Sequence, residues 1–265
     1  MDRKPSLSPS KITTYLACAA KYKWTYADLR GRWYMRSKSY YSFGSSLHRV
    51  LERFHDSGDM GVQTVDQAAA ALDESWIEAG YSSAQEMQEA LGEGKRIVAT
   101  YIQHEFIRNK EAKTLLVEKL FRLDMGEFDL IGRIDRVDEY PDGTLEIVDY
   151  KTRRTGITDE EVHNDLAMSC YQVLLRNAYP GRKIRACIHA VQTNERGVAS
   201  LSDEEAADFH SAIQSLGLEI LHRDYESMAP IYRDLCPSCD FLRLCRTHED
   251  WEEPEEAATL EPSMD

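Results

Sequence analysis

The sequence predicts an α/β domain with a mixed central sheet, flanking helices and a helical insertion. Three observations lead there. Helical periodicity dominates the first 110 residues. Three short apolar segments then follow one another from Leu115 to Lys151, as in a β-meander. Beyond them a helix, a strand and a further helix alternate to residue 226. A chain of 265 residues can bury a core of that size.

Ser8-Pro9-Ser10 suits a helix start, with Ser8 as cap and Pro9 in the first turn, and residues 9–26 read as one helix. Residues 43–57 form the next. Thr64-x-x-Gln67 and Ser83-x-x-Glu86 have capping-box form and open helices over 64–79 and 82–110, the second interrupted or kinked at Gly92 and Gly94. Strands are predicted at 115–123, 127–138 and 144–151, the last two joined by the turn Tyr140-Pro141-Asp142-Gly143. A helix over 159–178, a strand over 184–192 and a helix over 202–226 complete the set. The resulting division is 1–57 (N-terminal helices), 58–112 (helical insertion), 113–233 (sheet core), 234–248 (cysteine segment) and 249–265 (acidic, disordered tail).

Net charge is −14, yet unevenly spread. Residues 1–53 hold eleven basic residues against three acids, for +8, while residues 249–265 hold eight acids and no base. The basic segment is also aromatic, with Tyr15, Tyr22, Trp24, Tyr26, Trp33, Tyr34, Tyr40, Tyr41 and Phe43. Such interleaving suits phosphate contacts and base stacking. It equally suits an amphipathic helix whose long basic side chains snorkel around a core stripe. The absence of a long apolar run and of an apolar leader gives the expectation of a cytoplasmic protein without a membrane partner.

The most informative stretch is Gly132-Arg-Ile-Asp135-Arg-Val-Asp138 followed by Ile147-Val-Asp149-Tyr-Lys151. Adjacent strands would bring Asp135 and Asp149 to one sheet edge, and strand alternation puts Asp149 and Lys151 on one face. Hard carboxylate oxygens can hold Mg²⁺ or Mn²⁺. A nearby ammonium can stabilise charge on a reacting phosphate. Asp-x-Lys in a strand is also a common solvated pair, so the motif alone does not decide. His48, on the helix from Phe43, would favour Mn²⁺ as a further ligand. Glu118, on the first strand, is a candidate outer ligand or support.

Six cysteines are present. Cys170 and Cys187 sit in apolar patterns and read as core. Cys236-Pro-Ser-Cys239-Asp-Phe-Leu-Arg-Leu-Cys245 presents three thiolates at metal-site spacing, and Cys18 can complete the set. Four thiolates suit tetrahedral Zn²⁺ or an iron–sulfur cluster, and spacing leaves both open.

Several motifs together resemble the RecB-like PD-(D/E)XK nucleases. They are Leu7-Ser-Pro-Ser-Lys-Ile12 running to Cys18, Phe43-Gly44-x-x-x-His48, Gly132 to Asp138, and Asp149-Tyr-Lys151-Thr152. The closing cysteine run is similar to the iron–sulfur staple of AddB-type and CRISPR-adaptation nucleases. The resemblance spans roughly residues 5–248. It implies a PD-(D/E)XK restriction-endonuclease-like core and Mg²⁺- or Mn²⁺-dependent cleavage of DNA, as single strands or at free ends. It implies metal binding by His48, Asp135, Asp149 and the Tyr150 carbonyl, with Lys151 as catalytic lysine. Cys18, Cys236, Cys239 and Cys245 would hold a [4Fe–4S] cluster, with Zn²⁺ the alternative. A helicase or a CRISPR-adaptation protein would be the partner. The family commonly carries Gln-x-x-x-Tyr on the helix after the lysine strand; Tyr171 fits, but Ala167 stands at the glutamine position and Gln172 is out of register. That departure keeps a second expectation in view, a catalytically weak nucleic-acid-binding or assembly subunit.

Overall fold

The computed structural model describes residues 4–56, 61–108 and 112–254. The end of the expected 43–57 helix, both ends of the expected insertion and the acidic tail from residue 255 lie outside those residues. The chain forms two compact units, one of residues up to Ser6 with Ser37–Ile213, the other of Leu7–Arg36 with the residues from Gln214 onward.

The larger unit is built on a mixed sheet. A two-residue strand, β1 (Ser6–Leu7), comes first in the chain, and the Pro5 carbonyl accepts the Asp129 amide at 3.0 Å. β2 (Lys113–Asp124), β3 (Asp129–Glu139) and β4 (Leu145–Lys151) form the antiparallel meander. β5 (Ile184–Ala190) runs parallel to β4, and β6 (Glu195–Ala199) returns antiparallel to β5. β4 is central, with every residue from Leu145 to Tyr150 buried, as expected of a strand covered on both faces.

A parallel pair needs a crossover, and here it holds two helices rather than the one expected over 159–178. The Thr158–Glu161 capping box opens α6 (Asp159–His163), and the Asp165 carboxylate accepts the Met168 amide at 2.9 Å to open α7 (Leu166–Ala178). An interior cap splits what periodicity reads as continuous. β6 has no counterpart in the sequence reading; Asn194, at φ 56, makes the turn into it.

Three helices build the rest of this unit: α3 (Ser39–His55), α4 (Val65–Ser75) and α5 (Ala84–Arg108). The capping box of Thr64 and Gln67 forms as expected, whereas Gly92 and Gly94 stay inside an unbroken α5. Leu47, Val50 and Leu51 of α3 pack with Leu72, Val98, Tyr101 and Ile102 against Val148 and Tyr150 of β4. α8 (Asp203–His222) starts in this unit. It stops short of residue 226 because Asp224 Oδ1 accepts the Glu226 amide in a turn.

The smaller unit departs most from expectation. α1 (Pro9–Ala17) opens on Ser8 as read, but Cys18 is extended at φ −166 and ψ 116, so the helix breaks there. The Cys18 sulfur accepts the Lys21 amide at 3.4 Å and caps α2 (Ala19–Tyr22), which passes into a π-turn over Lys23–Ala27. A five-residue 3₁₀ segment follows at Leu29–Trp33. Within this unit Tyr22 stacks on Tyr225 at 5.7 Å, and Tyr15 donates to Glu219 at 2.6 Å. Its last helix, α9 (Leu242–Cys245), is a single turn after the 3₁₀ segment Cys236–Ser238.

Beneath the sheet of the larger unit lies a buried charge network. Arg136 of β3 is 2% exposed and lies 3.3 Å from Glu105 and 3.0 Å from Asp138. It also donates to the Tyr101 hydroxyl at 2.8 Å and reaches the His55 ring. Burial, then the Arg136 charge, holds His55 well below its usual range, so it is neutral. Removing one partner from such a set leaves uncompensated buried charge. Arg136→Met should cost about 3–5 kcal/mol in urea unfolding, more than an ordinary surface substitution.

Candidate active site

Asp135 and Asp149 meet at a fork in the sheet rather than at its edge. β3 pairs with β4 from Glu139 to Arg136, whose partner is Val148, while its pairing with β2 continues on to Asp129. Beyond Val148, β4 therefore loses its β3 neighbour. Backbone groups deprived of ladder partners must find others. The Tyr150 amide donates to Asp135 Oδ2 at 2.9 Å, and the Tyr150 carbonyl lies 3.0 Å from His48 Nε2. His48 Nδ1 lies 3.4 Å from Asp135 Oδ2. One residue thus ties β3, β4 and α3 together.

Glu118 completes the cluster from β2. The register that pairs Val117 with Arg136 and Lys119 with Ile134 sets Glu118 opposite Asp135. Glu118 has φ 47, a left-handed conformation that a non-glycine residue adopts at a cost of about 1–3 kcal/mol. Arg133 donates to its carbonyl at 2.9 Å. Ligand atoms of His48, Glu118 and Asp135 lie within 4.8 Å of one another. Asp149 is buried and pairs with Lys151 at 2.7 Å, and Lys151 keeps 44% of its side chain exposed. Glu118 thus stands with Asp135 and His48, while Asp149 serves Lys151.

The electrostatics follow from crowding. Burial, reinforced by the Asp135 charge and relieved by Lys151, lifts Asp149 to about 6. Burial, Asp135 and Glu52 lift Glu118 to about 6. Burial pulls His48 down, but its bond to Asp135 and the charges of Asp135 and Asp149 outweigh it and take the imidazole up to about 9. At neutral pH the ring is therefore a cation that donates to both Asp135 and the Tyr150 carbonyl. Burial likewise pulls Lys151 down, and Asp149 and Asp135 outweigh it.

His48, Glu118, Asp135 and Lys151 line a cavity of about 530 Å³ that also takes in Tyr40, Tyr41, Arg49, Glu52 and Thr152. The sequence reading left out Glu52 and Arg49. The i, i+4 spacing of Glu52 from His48 on α3 is the signal that could have found the first. Tyr171 of α7 closes on β3 beside these carboxylates, where a Cβ on Gly132 would come within 2.8 Å of its ring. Burial, then Asp149 and Asp135, raise its hydroxyl. Gln172 cannot replace the missing glutamine: it is fully buried and its Oε1 accepts the Leu201 amide at 2.9 Å.

In the smaller unit Cys18, Cys236 and Cys245 are buried and Cys239 is half-buried, with Met228, Leu235 and Trp251 packed against the cluster of Cys18, Ala20 and Cys245. The Arg233 amide donates to Cys236 Sγ at 3.3 Å, as the Lys21 amide does to Cys18. Burial first, then the charges of Cys239, Cys18 and Cys236, push Cys245 up to about 12. Cys18, Cys236 and Cys239 therefore lie close enough to act on Cys245. Cys170 and Cys187 are fully buried in the other unit.

The PD-(D/E)XK nuclease superfamily model matches residues 6–246. The chain belongs to this superfamily. A crystal structure from Eubacterium rectale, of a protein named as an exonuclease, superposes with a TM-score of 0.55 over 95% of this chain and 91% of that one, at 15% identity, a likeness of fold. Among curated relatives, the exonuclease/helicase protein RexB of Lactococcus lactis subsp. cremoris is 25% identical over 169 residues. An ATP-dependent helicase/deoxyribonuclease component from Streptococcus pyogenes is 34% identical over 131 residues. The matches cover 57% and 47% of this chain, and only 15% and 12% of those much longer proteins.

The imidazole titration can be read directly. In EDTA, NMR titration should place the His48 midpoint near 9, and Asp135→Asn should lower it. Because the folded value lies above the unfolded one, this group's stabilisation is full below about 6.5 and lost as pH rises through about 9. A His48 midpoint below 7 would contradict the described contacts.

Proposed function

We propose that this superfamily member is a divalent-metal-dependent nuclease that cleaves DNA, as single strands or from free ends. The observation that carries the reading is the placement of His48, Glu118 and Asp135 within 4.8 Å of one another, beside the Lys151–Asp149 pair. Carboxylate oxygens, the Tyr150 carbonyl and one imidazole suit Mg²⁺, and the imidazole tilts the set toward Mn²⁺. His48, Asp135, Glu118 and the Tyr150 carbonyl would hold the ion, with Asp149 beside them. A cation held there would polarise the scissile phosphate and acidify a water. His48 must give up its Nε2 proton to serve as a ligand. Lys151, positioned by Asp149, would stabilise negative charge growing on the phosphate oxygens. Tyr171 supports the carboxylate wall.

Cys18, Cys236, Cys239 and Cys245 fit a [4Fe–4S] cluster, with Zn²⁺ the competing occupant. Four thiols share one unit, an apolar shell surrounds them, and backbone N–H groups already point at two sulfurs. The names of the relatives, components of helicase/nuclease assemblies, support a helicase partner. DNA repair or CRISPR adaptation would be the setting. Among the described residues no helix is long and apolar enough to cross a membrane, and the reading takes the protein as cytoplasmic.

End-labelled single-stranded DNA incubated with Mn²⁺ or Mg²⁺ should be cleaved, and EDTA should stop the reaction. Lys151→Ala and Asp149→Ala should each cut the rate at least about a hundredfold with the circular dichroism spectrum unchanged. Full activity in both would overturn the assignment. An intact but inert wild type would favour the binding or assembly role, consistent with Ala167 in place of glutamine.

The cysteine site has its own test. Protein purified without oxygen should contain about four iron and four sulfide per chain, lost in Cys18→Ser. About one zinc and no sulfide would replace the cluster with Zn²⁺.

A further inference from the structure

The catalytic cavity has an aromatic mouth that the chemistry above does not use. Tyr40 and Tyr41 occupy the first turn of α3, and their ring centroids are 4.4 Å apart at 46°. They are 61% and 66% exposed, and among the residues of this unit whose side chains are described no other Phe, Tyr or Trp is exposed. Both line the cavity that contains His48, Asp135 and Lys151.

Helical spacing explains the shared lining. Tyr40, Gly44, His48 and Glu52 follow one another at i, i+4 on one stripe of α3, with Tyr41, Ser45 and Arg49 beside it. Seven or eight residues separate the rings from His48, about 11–12 Å along the helix axis. At about 3.4 Å per stacked nucleotide this is a reach of about three nucleotides. Gly44 lies on the floor between them. A Cβ there would meet only Thr152 Oγ1, at an ordinary 3.5 Å, so packing does not demand glycine. Glycine nonetheless weakens a helix interior relative to alanine. Its presence keeps the path from the rings to His48 open for close approach of a ligand.

We infer that Tyr40 and Tyr41 are a stacking platform for an unpaired nucleobase of the DNA strand whose phosphate lies at His48 and Lys151. The inference rests on the nuclease reading and deepens it by naming what selects the substrate. Every base has a π-face, so the platform is indifferent to sequence. A base still paired and stacked in a duplex cannot present its face to the rings. The platform therefore favours single strands and frayed ends over intact duplex.

The test is a binding measurement in EDTA on the full chain, so cleavage does not enter it. Fluorescence anisotropy would compare a labelled oligothymidylate with an abasic strand of the same length. The double variant Tyr40→Ala/Tyr41→Ala should weaken oligothymidylate binding about fivefold or more and leave the abasic strand unaffected. Tyr40→Phe/Tyr41→Phe should bind like wild type, since stacking needs the ring and not the hydroxyl. Unchanged oligothymidylate binding in the alanine variant would overturn the platform. So would equal loss on both strands, or no binding by wild type. Failure of the wild type to cleave with metal, beside a base-dependent loss in the alanine variant, would remove the nuclease reading and leave the platform standing.

Discussion

The peptide of Tyr150 is the constraint on which the site depends. Where β3 leaves β4, the strand's next amide and carbonyl lose their ladder partners in a region too buried for water to replace them cheaply. Asp135 takes the amide and His48 faces the carbonyl. The two side chains are therefore fixed by the need to satisfy backbone, before any metal is considered. The ring of Tyr150 is fixed from the other side. Its hydroxyl lies 2.9 Å from that of Tyr101, which in turn accepts from Arg136. Arg136 and Asp135 are neighbours on β3 pointing to opposite faces, so one strand builds both the site and its buried support.

This arrangement explains how an anionic chain can hold so many carboxylates at one place. Burial raises Glu118 and Asp149, and the charge of Asp135 adds to both, with Glu52 adding to Glu118. Two cations from the chain itself, His48 and Lys151, offset the repulsion. Their offsets differ in kind. Lys151 is half-exposed at the cavity wall and can turn toward a ligand. His48 is held by two hydrogen-bond partners, and its positive charge lasts only while Nε2 carries a proton. A divalent ion held there, as proposed, would displace a proton rather than structure.

The sheet and its motifs were legible because their signals are local. Tyr140-Pro141-Asp142-Gly143 marks a hairpin, and period-two alternation then places Asp149 and Lys151 on one face without further information. What escaped were features fixed by contacts distant in sequence or by unusual caps. Apolar spacing runs straight through Cys18, so nothing in the pattern announces that its sulfur will cap a new helix and break the old one. Asp165 hides in the same way between α6 and α7. Glu118 read as support because its left-handed backbone and its place opposite Asp135 follow from pairing with β3, not from its neighbours in β2. Gln172, five residues past the glutamine position, reads only as out of register; its burial and its bond to the Leu201 amide show that it faces the core.

The thiol cluster and the His48–Glu118–Asp135 cluster lie in separate units. Soft thiolates would compete for a cation meant for carboxylates, and a buried thiol beside the catalytic cavity would be a hazard if it ionised. The two cysteines of the larger unit are prevented from doing so. Burial pushes Cys170 up to about 12 and Cys187 to about 11, so both remain protonated at neutral pH. In the smaller unit Cys236, Cys239 and Cys245 are raised first by burial, with neighbouring thiols adding to it, an effect that a bound cation would reverse. A thiol raised by apolar burial alone stays inert whatever ion is present. A thiol grouped with other thiols would instead ionise on binding the cation proposed for them.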